Sequence, residues 1–274
     1  MLDRFRGWIA RYGGTVLLLS TFFLFWEIGV RLTHTPYYIL PTPSRIFHVF
    51  FTRFPLLLAH TGVTAVEIAV GMILAACGGF ALALLLFYSP SLKRAIYPLV
   101  IASQMIPVFA IAPLLILWFG YGIWPKVTVA ALIAFFPIVI NTVDGLKSVP
   151  EETIDLLNSL RATERQIFLV ARFPAALPSL FSGLKIGVTL SVVGATIGEW
   201  IGAKAGLGYL MIQSNALLRI DLVFAAILAL SLLGLLLFGA LRIMEERLLR
   251  WRRPREKRAP LPGRQTGTED AKKL

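Results

Sequence analysis

With 274 residues, 57% of them hydrophobic and only 15% charged, the chain carries more apolar surface than a water-soluble domain of this length can hide, so its solvent is largely lipid. Its net charge of +12 is not gathered into one patch, which argues against nucleic acid as a partner. The single cysteine, Cys77, lies in an apolar run, so the chain has neither a disulfide framework nor a cysteine metal site of its own.

The first segment, MLDRFRGWIARYGG, is basic and precedes the apolar run TVLLLSTFFLFWEIGVRL. That run is long, contains Glu27 and lacks a small-residue cleavage site, so it reads as a membrane span rather than a signal peptide. Residues 1–14 are expected to be a cytoplasmic segment, and 15–60 the first span with an extracytoplasmic loop. In that stretch Glu27 reads as an interfacial charge, and His34, His48 and His60 as loop residues without metal-ligand spacing.

Apolar windows near 15–32, 61–87, 95–119, 126–143, 179–202 and 222–243 give six spans, long enough to cross a hydrocarbon core of roughly 30 Å. The expected fold class is all-α, a polytopic bundle of six transmembrane helices. Pro98, Pro107 and Pro113 in the third window each remove a backbone donor and kink the helix. The glycine-rich stretches 71–79 and 183–202 allow close helix approach, for movement or simply for tight packing.

The segment 144–178 is too polar to span and too patterned to be a linker. Ser148 with Glu151 and Thr163 with Gln166 fit two capping boxes. Ile154, Leu157 and Leu160 follow the first at helical spacing, and Ile167, Phe168 and Val170 follow the second. Pro174 and Pro178 are expected to end the second helix and turn the chain back into the membrane. Two amphipathic helices of this kind want a partner, or else pack on their own bundle.

With the N-terminus inside, 20 of the 27 lysines and arginines fall on the cytoplasmic side and six opposite, with Lys185 inside the fifth span; the bias places both termini in the cytoplasm. Residues 247–274 read as a disordered basic tail that meets anionic headgroups. Glu67, Gln104 and Glu199 are polar at membrane depth, where the cost of burial makes a role in the substrate path the first reading. Glu199 could accept hydrogen bonds from an amine or amide while Trp200 stacks on a ring; alternatively, Trp200 is an interfacial anchor and Glu199 a helix-end charge. Glu67 could instead pair within the bundle, for instance with Lys185. No phosphate-binding loop of the form G-x-x-x-x-G-K-[ST] occurs, so nucleotide must be bound elsewhere.

The stretch DLLNSLRATERQIFLVARFPAALPSLFSGLK resembles the EAA loop of ABC importer permeases. Asp155 stands at the acid of that pattern, Leu156 and Leu157 at its alanines, and Arg161 at its glycine. Ala171 stands at its isoleucine, and Phe173 with Pro174 at its Leu-Pro. LPTPSRIF, APLLILWFGYG, FPAALPSLFSGLKIG and IGEWIGAKAGLGYL are similar to the branch handling sulfonates, nitrate, taurine and pyrimidine vitamin precursors, over roughly residues 36 to 245. The resemblance implies a type I importer core over 61–246, a permease dimer, two ATPase subunits on the coupling loops, and an extracytoplasmic binding protein. ATP and magnesium would then be bound by the ATPase and no cofactor by this chain, which would be a transport subunit and not an enzyme. Glu151, Asp155, Leu156, Leu157, Leu160, Arg161 and Pro174 become the coupling residues, and Glu67, Gln104, Glu199 and Trp200 the substrate path. GLKIG followed by IGEWIGAKAGLG looks most like permeases for pyrimidine-type thiamin precursors or riboflavin, with sulfonate, taurine or nitrate as the alternative. An ATP-independent secondary transporter is the other class kept open, although the sequence has no internal repeat.

Overall fold

The computed structural model describes residues 2–250, with side chains from Gly13 onward, and every regular element among them is a helix. The helices are α1 (Leu2–Leu32), α2 (Pro43–Thr52), α3 (Phe54–Tyr88), α4 (Pro90–Ser103), α5 (Val108–Phe119), α6 (Trp124–Leu146) and α7 (Glu151–Ser159). A four-residue α8 (Glu164–Ile167) passes through a π-helical turn (Phe168–Arg172) into α9 (Phe173–Gly202), followed by α10 (Leu207–Ala216) and α11 (Ile220–Leu248). The tail expected from 247 lies beyond α11 for the most part, and its residues 251–274 are outside the described residues.

Among the described residues five helical stretches are long and apolar enough to cross a membrane, and α4 with α5, bent by 100° at a short break, forms either a broken sixth span or a re-entrant loop. The third window is therefore not one kinked helix. Pro98 and Pro113 lie inside α4 and α5, while the chain turns where Pro107 caps α5 without a backbone donor.

The core is a three-helix stack with α6 in the middle. Val127, Ala130, Ala134, Ile138 and Val139 of α6 are fully buried between α3 and α9. Close approach explains why: a Cβ at Gly183 of α9 would lie 2.8 Å from the Pro137 carbonyl of α6, and one at Gly71 of α3 would lie 3.0 Å from Ala130. The tight-packing reading of the glycines thus has a concrete basis in the α3–α6 and α6–α9 seams.

Two sequence expectations change. Pro174 and Pro178 do not end a helix: Pro174 opens α9 and Pro178 lies inside it. The π-turn immediately before them widens the ladder, the Phe173 amide reaching back to the Phe168 carbonyl, so the helix continues past a residue that cannot donate. His48 lies in α2 and His60 in α3 rather than in loops. Glu27, read from the sequence as an interfacial charge, has local partners near the end of α1. It accepts from the Ser44 amide (3.0 Å) and hydroxyl (2.8 Å) at the start of α2 and pairs with Arg31. Nearby, Arg45 pairs with Asp221 at 2.9 Å and ties α2 to α11.

Candidate functional site

At one end of the bundle, α7 stands between the end of α6 and the start of α8 with no buried residue. The Ser148–Glu151 capping box does not form, because Pro150 occupies the N-cap and the Ser148 hydroxyl donates to the Gly145 carbonyl instead. The Thr163–Gln166 box does form, with the Gln166 side chain accepting from the Thr163 amide at 2.8 Å. Glu151 and Glu152 complement the positive end of α7.

The apolar face of α7 is rotated from the expected stripe. Ile154 and Leu157 are half-buried, while Leu156 and Leu160 are 60% and 71% exposed. Spaced four apart, these two leucines project from one side of the helix, flanked by exposed Asp155 and Glu151. Arg161 adopts the left-handed conformation at φ 57°. Its amide bonds to the Asn158 carbonyl, and the Ala162 amide to that of Leu157, which is the Schellman arrangement that favours glycine at this position. The arginine at the motif's glycine position therefore preserves the glycine backbone.

The opposite end holds a buried polar network. Glu67 (0% exposed) pairs with Lys126 of α6 and not with Lys185, which is held by Glu245 of α11 at 2.8 Å. Glu199, 1% exposed, accepts from the Thr64 hydroxyl at 2.6 Å and from the Gly208 and Tyr209 amides. The Leu207 amide donates to Thr64, and the Gly206 amide lies 3.0 Å from His60 Nδ1. The free amides at the start of α10 are thus satisfied by side chains of α3 and α9, a capping set supplied from outside the helix. Gly206 sits at φ +122° with the Glu199 carboxylate where a Cβ would go, so only glycine fits the turn.

Glu67 and Glu199 are brought together as near neighbours. Trp200, adjacent in sequence, points away and is 52% exposed, and Gln104 is exposed at the α4–α5 break. The sequence reading missed Lys126, Thr64 and His60 as members of this cluster. The signal was available: His60, Thr64 and Glu67 recur at i, i+4 and i+7, a polar stripe on one face of an apolar helix. Among the described residues, no group of three or more His, Cys, Asp or Glu side chains could hold a metal ion.

A family profile described as "Binding-protein-dependent transport system inner membrane component" matches residues 67–250. The formylaminopyrimidine transport permease protein ThiX of Halalkalibacterium halodurans is 44% identical over 83% of this chain and 91% of its own length. The riboflavin transport system permease protein RibX of Chloroflexus aurantiacus is 38% identical over 87% of this chain and 90% of its own. Among solved structures, a chain of the MetNI methionine ABC transporter in an inward-facing conformation superposes with a TM-score of 0.61. It is 20% identical and covers 73% of this chain and 97% of that one, a likeness of fold.

Proposed function

The chain belongs to the family of binding-protein-dependent transport inner membrane components, the permease subunits of ABC importers, and from that premise we propose that it carries a pyrimidine-type thiamin precursor or riboflavin. The observation that supports this most is the 44% identity to the ThiX permease over most of both chains. A sulfonate or taurine reading draws on a cavity of about 340 Å³ beside Tyr121, Lys126 and Lys204, whose positive charge suits an anion. Glu67 already occupies the Lys126 ammonium, which leaves one lysine for such a ligand, so the pyrimidine reading is preferred.

An importer permease works with an ATPase and a substrate-binding protein, and multi-pass placement in the inner membrane follows from the family and the apolar helices. In the assembly proposed here, two copies of the chain face two ATPase subunits that bind ATP and magnesium, and both termini are cytoplasmic. Leu156 and Leu160 enter an ATPase groove, with Glu151, Asp155, Leu157 and Arg161 at its rim. Closure of the ATPase dimer displaces α7, and the continuous helix through the π-turn and Pro174 carries that movement to the membrane. Gln104 and Trp200, exposed near the α4–α5 bend and the end of α9, line the path. Glu67 and Glu199 act behind them by fixing α10 against α3, α6 and α9.

The test is uptake into proteoliposomes holding the chain with its ATPase and binding protein. Formylaminopyrimidine or riboflavin should be taken up only with ATP, and taurine should not compete. ATP-driven taurine uptake with neither vitamin compound transported would overturn the substrate assignment.

A further inference from the structure

At the α7 end of the bundle, a cavity of about 530 Å³ opens where α3 and α4 meet the end of α6. Three cations surround it: Lys93 and Arg94 from α4, and Lys147 just after α6. Its remaining walls include Phe87, Tyr97 and Pro98. Among the described residues none of the three cations has a carboxylate within ion-pair distance; Asp144 is near enough to act on Lys147 but does not pair with it.

We propose that this cavity is a site for the phosphate headgroup of an anionic phospholipid. Three unpaired cations around one opening call for an anion, and a phosphate with several free oxygens can meet more than one of them. The aromatic and proline walls distinguish a lipid from a free ion, because they cover the apolar stem that follows a headgroup. The position also fits: the cavity lies where two apolar helices turn at Ser89, at the edge of the spanning region. Lys147 and Lys93 stand close enough to oppose one another, and an anion between them would relieve that apposition. The Lys147 ammonium is held below the ordinary lysine range first by hydrogen-bond apposition to the Lys93 ammonium, then by burial and charge repulsion. The inference needs this end to lie at a membrane surface and is independent of the substrate.

The full chain is purified and its retained lipid measured by native mass spectrometry after exchange into mixed phosphatidylglycerol and phosphatidylcholine. Wild type should retain phosphatidylglycerol with a preference of at least about tenfold, weakening as salt is added. The triple variant Lys93→Gln, Arg94→Gln, Lys147→Gln should lose the preference, and Lys93→Arg with Lys147→Arg should keep it. The single variants Lys93→Gln, Arg94→Gln and Lys147→Gln, with the basic tail intact, should each weaken the preference, and unchanged retention by all three would overturn the site even if the triple variant does not fold. Equal retention of both lipids by wild type would overturn the site. So would thermal protection by inorganic phosphate in phosphatidylcholine alone that matches the anionic lipid. Loss of ATPase pull-down in the glutamine variant with its lipid preference intact would assign the cations to a protein partner and overturn it equally.

Discussion

Arg161 occupies a backbone conformation that costs a side-chain-bearing residue about 1–2 kcal/mol, and the bonds it closes are those of the glycine-terminated helix end. Arg161→Gly is therefore expected to stabilise the inserted protein by about 1 kcal/mol, read as a higher thermal midpoint; a lower midpoint would mean the guanidinium makes contacts worth more than the strain. Lys147 gives a pH test. Because Lys93 depresses its pKa below the ordinary lysine value of 10.5, the unfolded chain binds more protons between the two values, so the Lys147 contribution makes stability rise with pH across that window. In neutral detergent, wild type should gain more stability than Lys147→Gln as pH approaches 10.5. Parallel curves for the two proteins would show that the lysines do not oppose one another. Of these two features the sequence disclosed only the first, through the position of Arg161 in the loop pattern, since the meeting of Lys93 with Lys147 requires α4 and α6 to be adjacent.

The helices themselves were legible because a membrane core demands long apolar segments, and each expected window overlaps an observed helix or the bent pair. Their partners were less so. Glu67 had two lysines to choose from by composition, and the choice of Lys126 over Lys185 follows from both residues lying at the same end of the α3–α6 seam. The glycine stretches gave candidates for close approach without saying which helix would face them. That distinction predicts opposite signs for one substitution. Gly183→Ala places a Cβ 2.8 Å from backbone and should destabilise by about 1–3 kcal/mol. Gly239→Ala in α11 meets nothing within 4 Å and should gain up to about 1 kcal/mol of helix propensity. Thermal unfolding of the two variants in one detergent measures both; destabilisation by each to the same extent would contradict the seam.

At the scale of the whole molecule, a buried polar clamp lies at one end of the bundle and an uncovered helix at the other. The clamp caps α10 with His60, Thr64 and Glu199; the polar stripe of α3 was legible in the sequence, but its pairing with Glu199 of α9, 135 residues from Thr64, was not. The uncovered helix was legible as an amphipathic segment, but neither its cap nor its outward face was: Pro150 displaces the expected Ser148 cap, and the stripe read as Ile154, Leu157 and Leu160 turns Ile154 and Leu157 inward and leaves Leu156 with Leu160 outside. If coupling runs through that pair, a partner that covers them gains about 1.5–3 kcal/mol from each, and losing even ~3 kcal/mol weakens docking more than a hundredfold. The decisive measurement is pull-down of the ATPase by membrane-inserted chain carrying Leu156→Asp and Leu160→Asp, alongside ATP-driven uptake. Normal insertion with loss of both the ATPase and uptake is the predicted result, whereas a retained ATPase with wild-type uptake would contradict the assignment of α7 as the coupling helix.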